Sequence, residues 1–166
     1  MWHKRSLGIL IFIIATASEA SGYIYQPSAC EYIVRFPGRP ELSRGIDSGV
    51  TVNRAILPFG ERALEARCAS IVGLNFNESD DTIISSIAVG LREKGWSNVS
   101  AFQKGSPFGR KFVSYGTKGI GQGGLTIRCE AYYGVRSIME LCSYSPSDAL
   151  VSKDVDAFFV SVERPR

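Results

Sequence analysis

Apolar and polar residues alternate most regularly from Leu125 to Tyr133 and again from Ile138 to Tyr144, with Gly134 between the two runs. Period-two alternation interrupted by a glycine turn is the pattern of a β-hairpin. A third alternation, Cys30 to Phe36, puts Cys30, Tyr32, Val34 and Phe36 on one face and Glu31 and Arg35 on the other, and reads as the first core strand. Pro37-Gly38-Arg39-Pro40 ends it, because proline cannot donate to a ladder. Tyr23 to Ala29, ahead of that strand, reads as an exposed lead-in. From Glu41 to Gly60 the signals are mixed, with a strand predicted over Val50–Leu57.

Ala63 to Gly73 carries both periods. Leu64, Ala66, Cys68, Ser70 and Val72 alternate while the composition favours helix, and bounding turn residues together with the need for Cys68 to reach a partner decide for strand. Ser79 to Lys94 is a helix. Ser79 can cap it, Asp80 and Asp81 sit at its positive end, Gly95 follows the last turn, and Ile83, Ile84, Ile87, Ala88 and Leu91 form one apolar stripe. Short strands are predicted at Trp96–Phe102 and Lys111–Lys118. Asp154–Val160 reads as a short helix with Val155, Phe158 and Phe159 turned inward. No internal repeat interrupts this order, and the predicted class is α+β: a central antiparallel sheet with helices packed on it.

The chain starts with Lys4 and Arg5, an apolar run from Leu7 to Ile14 and small residues from Ala15 to Gly22, the three parts of a secretory signal peptide. The apolar run is far short of the roughly 20 residues that span a bilayer. The predicted organisation is a signal peptide over 1–20 and one disulfide-stabilised domain over 21–166, with no transmembrane anchor after processing. Removing 1–20 lowers the formal charge from +3 to +2, too mild to call for nucleic acid. It also removes His3, the only histidine, and with it Ser-His-Asp triads, Cys-His nucleophiles and imidazole metal sites.

Cys30, Cys68, Cys129 and Cys142 remain, and in an exported chain four cysteines are most simply two disulfides with three possible connectivities. The pairing preferred here is Cys30 with Cys68 and Cys129 with Cys142. The second bond depends on register. A four-residue loop, Gly134 to Ser137, sets its cysteines directly opposite, whereas a two-residue Gly134-Val135 loop, which glycine-first turns favour, leaves them diagonal and badly placed. A four-thiolate zinc site is the rival, disfavoured by the absence of any CxxC pair.

Other patterns have simpler explanations. Gly119 to Gly124 satisfies GxGxxG, but the strand-like Leu125-Thr126-Ile127-Arg128 follows where a phosphate site needs a helix. Asn75 to Asp81 spaces oxygens as a calcium loop does, yet lacks the glycine and the closing glutamate, so helix capping explains it. Asn77 and Asn98 each begin an N-glycosylation triplet. Among Asp47, Glu65, Asp80, Asp81, Glu130 and Glu140, no spacing brings two carboxylates together. Glu140 stands out because it shares a strand face with Ile138, Cys142 and Tyr144; it is expected to be exposed, or half-buried beside Arg128 or Arg136. The bases Arg35, Arg39, Lys104, Arg110, Lys111 and Lys118 read as solvated surface. No catalytic residue, metal ligand or cofactor is assigned.

The order of landmarks resembles exported bacterial proteins with the PsbP-like α/β fold: Phe36-Pro37-Gly38-Arg39-Pro40 after an early strand, an aspartate-led central helix, Gly109-Arg110 before the strand Phe112–Tyr115, Arg128 on a hairpin strand, and Asp156 to Val162 at the close. That resemblance implies a PsbP-like sandwich and a non-enzymatic binding or assembly role. The cysteines depart from it, and no functional residue carries over. The functional expectation is an exported binding or assembly-accessory domain, periplasmic or extracellular, whose partner is an envelope or extracellular protein; ligand and oligomeric state are not readable. The alternatives are a small exported hydrolase, although SxxK, KTG and GxSxG are absent, and a secreted effector acting on a host.

Overall fold

A computed structural model describes residues 22–47, 49–72, 77–119, 124–146 and 153–165. The element order is β1 (Tyr23–Tyr25), β2 (Val34–Phe36), β3 (Glu41–Asp47), β4 (Val50–Phe59), β5 (Arg62–Ser70), α1 (Asp80–Glu93), β6 (Ser97–Lys104), β7 (Arg110–Lys118), β8 (Leu125–Tyr133), β9 (Ser137–Pro146) and α2 (Lys153–Val160). Seven strands form one antiparallel sheet in the order β3-β4-β5-β9-β8-β7-β6, and β1 pairs with β2 in a separate ribbon. The class is α+β, as the alternation and the two helical stripes imply. The signal-peptide reading falls on residues outside the described ones, and so does most of the glycine-rich loop.

The hairpin β8–β9 stands near the centre of the sheet. Tyr133 pairs with Ile138 and Cys129 with Cys142, so the four-residue loop prevails over the tighter turn. The reason is visible at Gly134. A Cβ there would collide with the Glu31 carboxylate, which accepts the Arg136 N–H at 2.5 Å and the Ser137 N–H at 3.0 Å. The wider turn thus wraps an anion, and glycine lets the backbone close around it.

Each face of the sheet has its own cover. On the first, the β1–β2 ribbon and α2 lie over Leu64, Ala66, Met139, Leu141 and Tyr132; Phe36 meets Phe158 with ring centroids 4.9 Å apart. Cys30–Cys68 bonds this cover to β5, with Cα atoms 6.1 Å apart. Backbone pairing of Ile33 with Glu163 joins the two ends of the cover. On the second face, α1 packs on β6 and β7, and Trp96, Leu91 and Val99 enclose Ile127 and the Cys129–Cys142 bridge, whose Cα atoms are 4.1 Å apart. Both bridges match the preferred pairing. α1 begins with Ser79, whose hydroxyl accepts the Thr82 N–H, and Gly95 at φ 84° turns the chain away after the last turn.

Three expectations need correction. Tyr23–Ala29 is an exposed lead-in only in part: Ile24, Gln26, Ser28 and Ala29 are exposed, but Tyr23–Tyr25 is a strand and Tyr25 is buried. The strand predicted over Cys30–Phe36 keeps its inward set of Tyr32, Val34 and Phe36 but regular pairing covers only Val34–Phe36, and it belongs to the covering ribbon rather than the central sheet. β3 was not foreseen, because every one of its residues is exposed and burial therefore imposes no alternation on it.

Candidate functional site

Because α1 covers the β6–β7 side of its face, a groove stays open on the β4–β5–β9 side. It holds about 320 Å³ and has eleven lining residues, eight of them apolar or aromatic. Val52, Ala69, Ile138 and Tyr133 form one cross-strand row of the floor, and Ile87 of α1 forms a wall. The next row is Arg54, Arg67, Glu140 and Ala131. Strand register alone puts Arg67 directly opposite Glu140, and alternation turns both toward the groove.

Two arginines facing each other across β4 and β5 would repel. Glu65, one pair along and buried, takes the Arg54 Nε at 2.5 Å on Oε1, with the Arg67 Nε 3.8 Å from the same oxygen; its Oε2 accepts the Tyr144 hydroxyl at 2.7 Å. Burial and then the bond to Glu65 push the Tyr144 phenol up. Arg67 reaches outward with its remaining nitrogens, to Glu140 at 3.5 Å and Asp47 at 3.4 Å. Glu140, 38% exposed, has its pKa raised by desolvation against the pull of Arg67 and Lys94. Its partner is thus neither Arg128, which lies on the opposite face, nor Arg136 in the turn. Only the β5–β9 pairing brings Arg67 to it, across 73 residues of sequence.

The remaining predicted residues scatter. Asp80 pairs with Arg110 at the start of α1, and Asp81 is exposed there. Arg35 pairs with Glu163, and Lys118 donates to the Lys94 carbonyl. Glu130 and Lys111 meet on the opposite face under α2, a combination that sequence reasoning missed. The signal was present: Lys111, Val113 and Tyr115 share a parity, as do Arg128, Glu130 and Tyr132, and both strands have inward residues of either parity. The one group of possible metal ligands found among the described residues is Cys129, Glu140 and Cys142, and its two sulfurs are joined in a disulfide. No protein-family model matches the chain, and no curated protein matches it.

What the groove can do follows from its parts. An apolar floor takes an apolar group out of water, at about 25 cal/mol for each Å² covered. The charged end carries the two carboxyl groups of Asp47 and Glu140 around Arg67, with Lys94 near enough to act on Glu140. Arginine stays protonated and cannot serve as an acid or base partner for Glu140. Two disulfides fit an oxidising compartment. Among the described residues no helix is long and apolar enough to cross a membrane.

Proposed function

We propose that the chain is an exported binding or assembly-accessory domain of the bacterial cell envelope, built on PsbP-like layers and freed of residues 1–20 on export. Its partner is an envelope or extracellular protein that lays an apolar side chain, followed by a basic one, into the groove beside α1. The observation that carries this reading is the uncovered floor of β4, β5 and β9, apolar along Val52, Ala69 and Ile138 and acidic at the Asp47–Glu140 end. Such a surface offers burial and a complementary charge, and asks for no bond to be made or broken.

The test is cross-linking capture from envelope extract with the oxidised domain. Ala69→Arg, which fills the floor, should abolish capture, while Val135→Arg on the exposed hairpin turn should not. Equal capture by both variants would sink the groove as the docking site. One observation favours a hydrolase instead: Glu140 is a carboxylate of raised pKa in an apolar groove. Turnover of ester, glycoside or peptide substrates lost on Glu140→Gln would establish that alternative.

A further inference from the structure

A second cavity, of about 200 Å³, opens on the other face of the sheet, between β7, β8, the Lys104–Phe108 turn and the carboxyl-terminal end of α2. Three cations and one carboxylate line it: Lys104, Lys111, Arg128 and Glu130. Glu130 is 2% exposed and fully engaged. Its Oε2 meets the Lys111 ammonium at 2.5 Å and the Tyr132 hydroxyl at 2.9 Å, and its Oε1 meets Arg128 at 2.8 Å. Burial works to raise its pKa, but the ammonium and the guanidinium together hold it below the ordinary range, so it stays charged and has little to offer a ligand.

The cations are less completely matched. Arg128 spends its two terminal nitrogens on Glu130 and on Asp156, at 3.0 Å, and lies with Cζ 4.2 Å from the Phe159 ring centroid; its buried Nε has no partner among the described residues. The Lys111 side chain is 13% exposed, its ammonium 5.0 Å from the Tyr132 ring centroid, and its one hydrogen-bonding partner among the described residues is Glu130. An ammonium has three donors. Two are therefore left over in a nearly buried site, where an unsatisfied donor is costly even though the charge itself is paired. Glu130 and Asp156 balance Lys111 and Arg128, and the one positive charge in excess is that of the exposed Lys104 at the rim.

We propose that this cavity binds a small organic acid, whose carboxylate takes the free donors of Lys111 with Lys104 at the rim, and whose apolar body lies against Phe108 and Phe159. One carboxylate supplies the missing charge. The size excludes a drug-sized molecule, whose sites start at about 300 Å³. Recognition is by ammonium groups rather than a guanidinium fork, because the fork of Arg128 is already committed. The site is independent of the groove beside α1 and lies on the opposite face.

The experiment is an amide NMR titration of the oxidised domain with phenylacetate, phenylacetamide and inorganic phosphate. Phenylacetate should shift the amides of Lys104 to Phe108, of Lys111 and of Phe159, and saturate in the millimolar range. Phenylacetamide, with the same body and no charge, should not. Lys104→Glu touches neither Glu130 nor the core and should weaken phenylacetate roughly tenfold at unchanged melting temperature. Lys111→Met should abolish binding, and Ala69→Arg in the groove should leave it intact. The proposal falls if phenylacetate shifts nothing, if phenylacetamide binds equally, or if Lys104→Glu binds like the parent. Inorganic phosphate binding as tightly as phenylacetate would overturn the role given to the aromatic wall.

Discussion

Glutamine at position 31 changes one atom of the side chain and removes one charge, yet it should cost the fold more than most core truncations of similar size. The Glu31 side chain is 7% exposed and accepts the Arg136 N–H at 2.5 Å, the Ser137 N–H at 3.0 Å and the Arg164 guanidinium at 2.6 Å. Hydrogen bonds to an ionised group contribute ~1.5–3 kcal/mol each. Glutamine keeps one acceptor oxygen and turns an NH₂ toward the remaining donors, so a net loss of ~2–4 kcal/mol is expected at neutral pH. In a domain of this size that lowers Tm by roughly 5–15 °C. The pH dependence separates this cause from a packing defect. Burial works to raise the Glu31 pKa, but the Arg136 N–H, Arg164 and the Ser137 N–H outweigh it and hold the value below 4.5. A lowered folded pKa means that the carboxylate's stabilisation is complete above the unfolded value and is lost as pH falls through the folded one. Circular dichroism melts of parent and Glu31→Gln should therefore differ fully at about pH 7 and converge on acidification below about pH 4.5. A difference under about 0.5 kcal/mol, or one that persists unchanged in acid, would refute the reasoning.

Other outcomes follow from the same structure. Removing Cys30–Cys68, which closes 38 residues, should cost about 4 kcal/mol, against about 3 kcal/mol for Cys129–Cys142, which closes 13; denaturant titration of the two double-alanine variants reads the order, and peptide mapping without reductant reads the pairing. Glu140 behaves oppositely to Glu31: its raised folded pKa makes ionisation oppose folding once pH passes 4.5, so Glu140→Gln should gain stability at neutral pH and lose that gain in acid. The gain is held under about 1 kcal/mol by the screening that 38% exposure brings, and melts at the two pH values measure it. Ser79→Ala should cost about 1 kcal/mol by leaving the Thr82 N–H uncapped, seen in urea unfolding with unchanged slope.

How far the sequence reaches depends on whether a feature is local. α1 was legible because its cap, its acidic first turn, its stripe and Gly95 lie within 17 residues and all agree. The hairpin was legible in outline, and its register became so once Cys129 and Cys142 had to meet. The reason for that register was not, since Glu31 lies 105 residues from the amide that it accepts. The groove is a product of strand order. Nothing near Glu140 says that β5 lies beside β9, so local sequence offers it only the arginines of its own hairpin, although Arg67 has the right parity on a strand that the alternation predicts. Glu130 and Lys111 were visible as charges among inward residues of β7 and β8, but a charge on a strand reads as solvated until both faces are known to be covered.

The clasp between Ile33 and Glu163 bears on the timing of folding. Ser161 bonds across 126 residues to the Arg35 backbone, and Arg164 reaches 133 residues back to Glu31. A chain that leaves the ribosome from its amino end has made β2 long before the residues that hold it exist. Until α2 and residues 161–164 are added, Phe36 lacks its contact with Phe158 and the ribbon alone covers the first face of the sheet. Contacts of such long span are formed late and slowly. Ser161, Glu163 and Arg164 thus close the two ends of the cover together, after hairpins between neighbouring strands have had time to form.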